Sequence, residues 1–326
     1  MRIAPLGLGA AGIGNLYRAV REDDAVATVH AALAASYGLI DTAPYYGHGL
    51  SEMRVGAALR TWQGARPQIS SKVGRVLDPV RPEDVGDFGF VSPAPFRPRF
   101  DYSRDGVRRS LDESLERLGV ESLDIALVHD VGAMVHGDAH AAVLKQVLDE
   151  TLPALHEARD AGVVGRIGLG INEWEVGAEI AERAPLDVIL LAGRYTLLEQ
   201  PALTSGFLDY CHDIGIDVLA AGVFNSGLLA TPPSEASTYN YAAAPADVLE
   251  RARALWAVCA EHGVAPQAAA LQFPAMHPAV ASVVLGARSV AEIAAQKAWR
   301  GTAIPDALWD DLKRRGFIAP DAPTRS

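Results

Sequence analysis

Cysteine is nearly missing from this chain: Cys211 and Cys259 are the only two in 326 residues. Both fall in segments with helical apolar spacing. A disulfide framework is therefore excluded as the organising device, a reducing compartment is expected, and small buried hydrophobes are the expected use of both thiols. Basic runs are missing too. Against 40 Asp and Glu there are 29 Lys and Arg, a formal net charge of −11, which argues against nucleic acid or an anionic membrane as partner. No apolar stretch is long and charge-free enough to span a bilayer. Residues 1–14 are apolar but glycine-rich and lack a sustained hydrophobic region, so they do not read as a signal peptide. A cytoplasmic protein is expected.

What is present is a chain 49% hydrophobic and 21% charged, the composition of a globular core. Short apolar runs alternate with helical patterns. Strands are expected at 5–9, 39–42, 68–72, 123–129, 166–170, 187–191, 216–220 and 281–285. Helices are expected at 24–37, 51–60, 103–118, 139–161, 173–183, 204–214, 245–262 and 289–299. Val107, Leu111, Leu115 and Leu118 show the helical period. The strand runs are apolar throughout, as expected where both faces are buried. Eight alternations with no interior linker predict one (β/α)8 barrel over residues 1–326. Two long segments, 74–101 and 225–244, come directly after strands and so belong on the C-terminal face of such a barrel, as loops over its mouth.

Gly7-Leu8-Gly9-Ala10-Ala11-Gly12 matches the dinucleotide fingerprint, which requires a helix to begin inside the glycine turn. Here the chain runs on through Ile13-Gly14-Asn15-Leu16-Tyr17-Arg18, and the helical pattern begins only after Asp23-Asp24, which read as N-cap residues. The glycines are expected to form a flexible strand-to-loop turn at the barrel mouth.

The chemistry-bearing residues stand at strand ends. Asp41 ends Leu39-Ile40-Asp41, and Tyr46 comes next in Pro44-Tyr45-Tyr46-Gly47. Lys72 ends Ile69-Ser70-Ser71-Lys72, and His129 ends Leu127-Val128-His129. Each alone has an ordinary explanation as a cap or surface group. Together, on the second, third and fourth strands, they predict a carboxylate, phenol, ammonium and imidazole around one proton-transfer site. A lysine about 4 Å from a phenol contributes roughly 4 kcal/mol at an effective dielectric near 20. That is enough to bring the phenol toward neutrality, with desolvation opposing. Asp41 would balance Lys72, and His129 would hydrogen-bond a substrate oxygen. Such a set suits hydride transfer, with Tyr46 as the acid or base.

Asp41-Thr42-Ala43-Pro44-Tyr45-Tyr46-Gly47-His48-Gly49-Leu50-Ser51-Glu52 resembles the signature of the aldo-keto reductases. Ser71-Lys72-Val73 and Leu127-Val128-His129 are similar to the lysine and histidine segments of that superfamily. The resemblance extends from Leu6 to about Gln296. It implies a (β/α)8 barrel, a nicotinamide cofactor, no metal, and Tyr46, Asp41, Lys72 and His129 as the catalytic tetrad. Gly14-Asn15-Leu16-Tyr17, Phe100-Asp101-Tyr102-Ser103, Leu191-Ala192-Gly193-Arg194-Tyr195-Thr196 and Gly222-Val223-Phe224-Asn225-Ser226-Gly227-Leu228 resemble a branch of bacterial aldose 1-dehydrogenases, acting on L-fucose and D-threo-aldoses, and pyridoxal 4-dehydrogenases.

For the cofactor, the resemblance implies Asn172 at the nicotinamide carboxamide and backbone amides of Ser226, Gly227 and Leu228 at the pyrophosphate. It places Gly286, Ala287 and Arg288 at a phosphate site opening a helix, with Glu292 and Gln296 beyond them. Ile171, Ala192 and Ala221 depart from residues that grip the nicotinamide in many relatives. Glu292 stands where NADP-dependent relatives often carry an arginine, so NAD is expected over NADP, with Arg288 near enough to support NADP. Substrate is expected against Tyr17, Tyr45 and Trp174, with Phe90 and Phe96 nearby, and His48 is expected on the loop surface. The expected reaction is oxidation of an aldose C1 hydroxyl to a lactone. Pyridoxal oxidation and NADPH-dependent reduction of aldehydes or ketones are the alternatives. A nucleotide-bound sensor and a Schiff-base lyase using Lys72 are the readings from other classes. The expected partner is a small sugar or carbonyl compound, and the protein is expected to be a monomer or weak homo-oligomer.

Overall fold

The computed structural model describes residues 2–240 and 242–324; Tyr241, in the second long segment, and the extreme termini lie outside it. The strands are β1 Leu6–Gly9, β2 Leu39–Asp41, β3 Gln68–Val73, β4 Arg75–Pro79, β5 Phe96–Phe100, β6 Leu123–His129, β7 Val164–Ile171, β8 Val188–Ala192, β9 Asp217–Ala221, β10 Thr238–Tyr239, β11 Ala242–Ala243 and β12 Val280–Gly286. Eight of them close a barrel in the order β1-β12-β9-β8-β7-β6-β3-β2. Every pairing in it is parallel, and β1 seals it by pairing Leu8 with Ile40 on one side and Leu285 on the other. The expected (β/α)8 barrel is therefore the observed fold, with helices such as Glu22–Ala34, Leu50–Thr61, Arg104–Leu118 and Ala246–Glu261 between strands.

Period-two alternation explains where the functional residues go. Leu39, Ile125, Leu127, Val188, Leu190, Leu219 and Val284 form one apolar cluster inside the barrel. The larger cluster fills the layer between strands and helices. Asp41 is two residues beyond Leu39, and His129 two beyond Leu127, so both end inward-facing rows. Lys72 ends the row of Ser70, whose hydroxyl bonds Asp41. The lysine stem needs space across the barrel, and Gly170 on β7 provides it: a Cβ there would lie 3.1 Å from Lys72 Cε.

Four expectations need correction. Segment 74–101 is not an open loop, because β4 and β5 pair antiparallel from Arg75↔Phe100 to Pro79↔Phe96. Its prolines and glycines masked the buried Val76 and Leu77 that anchor it. Segment 225–244 likewise holds the small β10–β11 hairpin. The first helix begins at Glu22, so Asp23 and Asp24 lie in its first turn rather than at the cap, where carboxylates suit the helix dipole. Helix 139–161 is continuous from His140 to Asp160 but not uniformly α, with a π turn at Val147–Thr151 and Thr151 bonded to the Tyr102 carbonyl. The tail also contributes a helix, Asp306–Arg314, which buries Leu308, Trp309 and Leu312. No helix among the described residues is long and apolar enough to cross a membrane.

Candidate active site

The four strand-end residues meet at the C-terminal mouth of the barrel. Lys72 Nζ donates to Asp41 Oδ2 at 2.7 Å and to the Thr42 carbonyl at 2.8 Å, and Ser70 Oγ donates to Asp41 Oδ1 at 2.8 Å. Both members of this ion pair are buried. Nζ lies 4.8 Å from the centre of the Tyr46 ring. The Tyr46 and His129 rings meet edge to face, 5.9 Å between centres.

A tight turn holds Tyr46. Gly47 has φ 63, and any Cβ there would fall 2.3 Å from the Gly14 carbonyl. Beneath it, Ser51 Oγ donates to the Ala10 carbonyl at 2.9 Å and lies 2.8 Å from Thr42 Oγ1. His48 is fully buried, contrary to its expected surface position. Its Nδ1 is 2.6 Å from the Phe96 carbonyl, and its ring packs against Phe88 and Phe90. The β4–β5 segment folded over it accounts for the difference.

Electrostatics revise the expected activation of Tyr46. Burial, followed by the Asp41 and Asp130 carboxylates, pushes the phenol well above 10, opposed in part by Arg75. Lys72 is committed to Asp41 and Thr42, so its charge is largely balanced before it reaches the ring. The phenol is thus a proton donor at neutral pH. The same hydrogen bonds oppose Schiff-base chemistry, which needs a free neutral amine. His129 is held well below its usual range by burial, then by Arg75 and Lys72, and is a neutral imidazole.

Two residues that sequence reasoning passed over, Arg75 and Asp130, complete the site. Arg75, at the start of β4, sends Nη2 to Asp130 Oδ2 at 2.8 Å and Nη1 to His129 Nδ1 at 3.2 Å. Its guanidinium carbon lies 4.0 Å from the Tyr45 ring centre and 4.5 Å from that of Phe100. The Tyr102 hydroxyl donates to the carbonyls of His129 and Asp130 at 2.8 and 2.9 Å, bracing a backbone in which Asp130 has φ 52. The available signal was an arginine three residues past Lys72 and an aspartate directly after His129.

The expected substrate residues divide. Tyr45 lies beside the tetrad, 6.1 Å from the His129 ring and 5.3 Å from that of Phe90. Tyr17, at 55% exposure, has its amide bonded to the Gly89 carbonyl at 3.0 Å, and burial, opposed by Arg288, raises its phenol pKa. Trp174 packs its ring on Phe207 at 6.1 Å.

The expected cofactor residues also divide. Asn172 is half-buried just past β7. Among the three pyrophosphate amides, Gly227 and Leu228 donate to the Phe224 and Asn225 carbonyls within their own turn, while Ser226 is exposed at φ 55. Gln296 is spent inside the protein: it accepts from Tyr37 Oη at 2.6 Å and donates to the Gly286 carbonyl at 2.8 Å. Beside Gly286 and Ala287, a cavity of about 590 Å³ is lined by Arg18, Arg21, Asp24, Arg288, Ser289 and the first residues of helix Val290–Arg300, with Asp24 paired to Arg21. Ser289 caps that helix by accepting from the Glu292 amide. Among the described residues, the buried Arg288 Nε and Asn225 Oδ1 have no hydrogen-bond partner. Guanidiniums around a helix N-terminus fit the phosphates of a dinucleotide. A larger cavity, about 850 Å³, lies by Leu6, Gln272, Arg300 and Trp309. Leu6 opens β1, so this space is at the opposite end of the barrel from the tetrad.

The chain is 39% identical to a pyridoxal 4-dehydrogenase of Microbacterium luteolum, over 98% of this chain and 96% of the relative. It is also 39% identical to a D-threo-aldose 1-dehydrogenase of Pseudomonas sp, over 98% and 95%. A glycerol dehydrogenase structure from Gluconobacter oxydans superposes with a TM-score of 0.74 at 23% identity, covering 98% of this chain and 93% of that one, and shares the fold. The family model described as Aldo/keto reductase family matches residues 5–314. This barrel therefore belongs to the aldo/keto reductase family and is a nicotinamide-dependent oxidoreductase.

Proposed function

We propose that the protein is an NAD-dependent dehydrogenase that oxidises the C1 hydroxyl of an aldose to the lactone. The observation that carries this reading is the buried Lys72–Asp41 pair at 2.7 Å beneath the Tyr46 ring, with His129 facing the same ring. A bound nicotinamide would supply the hydride acceptor for C1. Tyr46, once its own proton has left to solvent, takes the proton of the C1 hydroxyl as the phenolate, and the phenol so formed returns that proton in the reverse direction. His129 donates a hydrogen bond to the same oxygen, and the Lys72–Asp41 pair packs beneath the phenol without a net buried charge. Tyr45 and Phe90 offer ring faces that suit a sugar or a pyridine. Arg288, Ser289 and the helix behind them would hold the adenosine phosphates, with Asn172 at the carboxamide.

Pyridoxal is the second substrate reading, since the chain is as similar to the pyridoxal 4-dehydrogenase as to the aldose enzyme. The test is NADH formation from L-fucose, D-arabinose and pyridoxal, each with NAD and with NADP. Turnover on the sugars with NAD is expected. Turnover on pyridoxal alone would transfer the assignment, and NADPH-driven reduction of simple aldehydes with no oxidation would reverse direction and cofactor together.

Preference for NAD rests on Glu292. Its Oε2 accepts from the Arg288 amide at 2.8 Å, and its Oε1 lies 3.4 Å from Arg18. The carboxylate thus offsets part of the positive charge around the cavity that a 2′-phosphate would otherwise meet. Glu292→Arg is expected to move the kcat/KM ratio toward NADP by about 10- to 100-fold, equivalent to one or two charge contacts. An unchanged ratio would remove Glu292 as the discriminator.

A further inference from the structure

We propose that Arg75 is the positioning residue that sets the working tautomer of His129, an inference that rests on the oxidoreductase reading above. An arginine side chain has donors only and does not lose its proton in proteins. With Arg75 Nη1 3.2 Å from His129 Nδ1, Nδ1 must present its lone pair, and the neutral ring carries its proton on Nε2. Nε2 is 3.5 Å from Asp130 Oδ2, too far for a strong hydrogen bond, so its proton is available to a substrate oxygen. A donor with a fixed direction is what this reaction needs from the imidazole.

The arrangement over-determines the guanidinium. Asp130 holds one nitrogen at 2.8 Å, and the Tyr45 and Phe100 rings pack on its carbon. Tyr102 braces the backbone that carries both His129 and Asp130. The groups facing the imidazole are Lys72 from β3, Arg75 from β4, Tyr45 and Tyr46 from the loop after β2, and Asp130 just beyond its own strand. His136 lies behind, on the Asp130 carbonyl. The β4–β5 hairpin thus reaches the chemistry through one side chain.

The test is nitrogen NMR of the histidine-labelled protein, with kcat and KM measured across pH, for wild type, Arg75→Met, Arg75→Lys and Asp130→Asn. His129→Gln assigns the signals. Wild-type His129 is expected as the neutral Nε2–H form through the neutral range. Arg75→Met removes a cation and leaves the Asp130 carboxylate unpaired. Both changes raise the histidine pKa, so the ring begins to titrate there, its neutral form becomes a mixture of tautomers, and kcat acquires a new acid limb. A fall of about 10- to 100-fold in kcat with little change in KM is expected for a donor left misdirected. Arg75→Lys keeps the charge without the fork, so it holds the pKa low and recovers part of kcat. Asp130→Asn removes the anion alone and moves the histidine pKa the opposite way from Arg75→Met. A wild-type ring protonated on Nδ1 would overturn the proposal, as would an Arg75→Met protein that keeps tautomer and pH profile while losing only stability. Should every substrate fail, the NMR arm still decides Arg75, separately from the assignment of the reaction. Should Arg75→Met fail to fold, Arg75→Lys and Asp130→Asn carry the same readouts.

Discussion

Tyr46→Phe is expected to lower kcat by about 10²- to 10⁴-fold, the range of one acid–base group, while nucleotide affinity and thermal stability stay near wild type. The phenol makes the ring contacts with Lys72 and His129 through its aromatic body, which phenylalanine keeps. Only the proton carrier is lost. The pH dependence comes from the raised phenol pKa. Oxidation needs the phenol to give up its own proton before it can take one from the substrate, so its rate climbs as pH rises. Reduction uses the protonated phenol and weakens only as pH approaches the raised value. Rate profiles in both directions check this, with calorimetry and nucleotide titration as controls. A Phe variant retaining more than about a tenth of wild-type turnover would remove Tyr46 from the proton path, since such a small loss is below any general acid–base contribution.

Lys72→Met is expected to cost both activity and about 3–5 kcal/mol of stability, because removing one partner of a buried ion pair strands the other. Asp41 would keep the Ser70 hydroxyl as donor but lose the ammonium at 2.7 Å. The double variant Lys72→Met/Asp41→Leu replaces the pair by apolar groups of similar bulk and is expected to regain most of that stability, yet to remain inactive. Urea unfolding with linear extrapolation gives both numbers. If the single and double variants proved equally stable, the pair would be too well solvated to count as buried. An active double variant would show that Tyr46 needs no ion pair beneath it.

Much of this molecule was legible along the chain. The strand expectations at 123–129 and 68–72 fall on β6 and β3, because buried parallel strands are short, uniformly apolar and punctuated by their functional ends. The Gly7–Gly12 motif was legible from the residues just downstream of it: the chain makes a short 3-10 turn at Gly12–Gly14, and no α-helix begins until Glu22. Segment 74–101 was not legible. A hairpin whose strands pair 25 residues apart at Arg75 and Phe100 leaves only a weak local signal when proline and glycine crowd the span between. His48 was misplaced for the same reason, since its burial is conferred by that hairpin and not by its neighbours in sequence.

What the sequence determined by itself is the periodicity: short apolar runs alternating with helical patterns, and hence that Asp41, Lys72 and His129 stand at the ends of strands of one barrel. Periodicity is local, and closing a parallel sheet turns it into a shared site. What only the tertiary structure decided is the charge balance inside that site. Lys72 proved to be spent on Asp41 and Thr42, Tyr46 to be a held phenol, and Arg75 to point its guanidinium at His129. Those outcomes depend on distances of a few ångströms between segments far apart in the chain, in a place where burial strengthens every charge interaction. No spacing along a single strand encodes them.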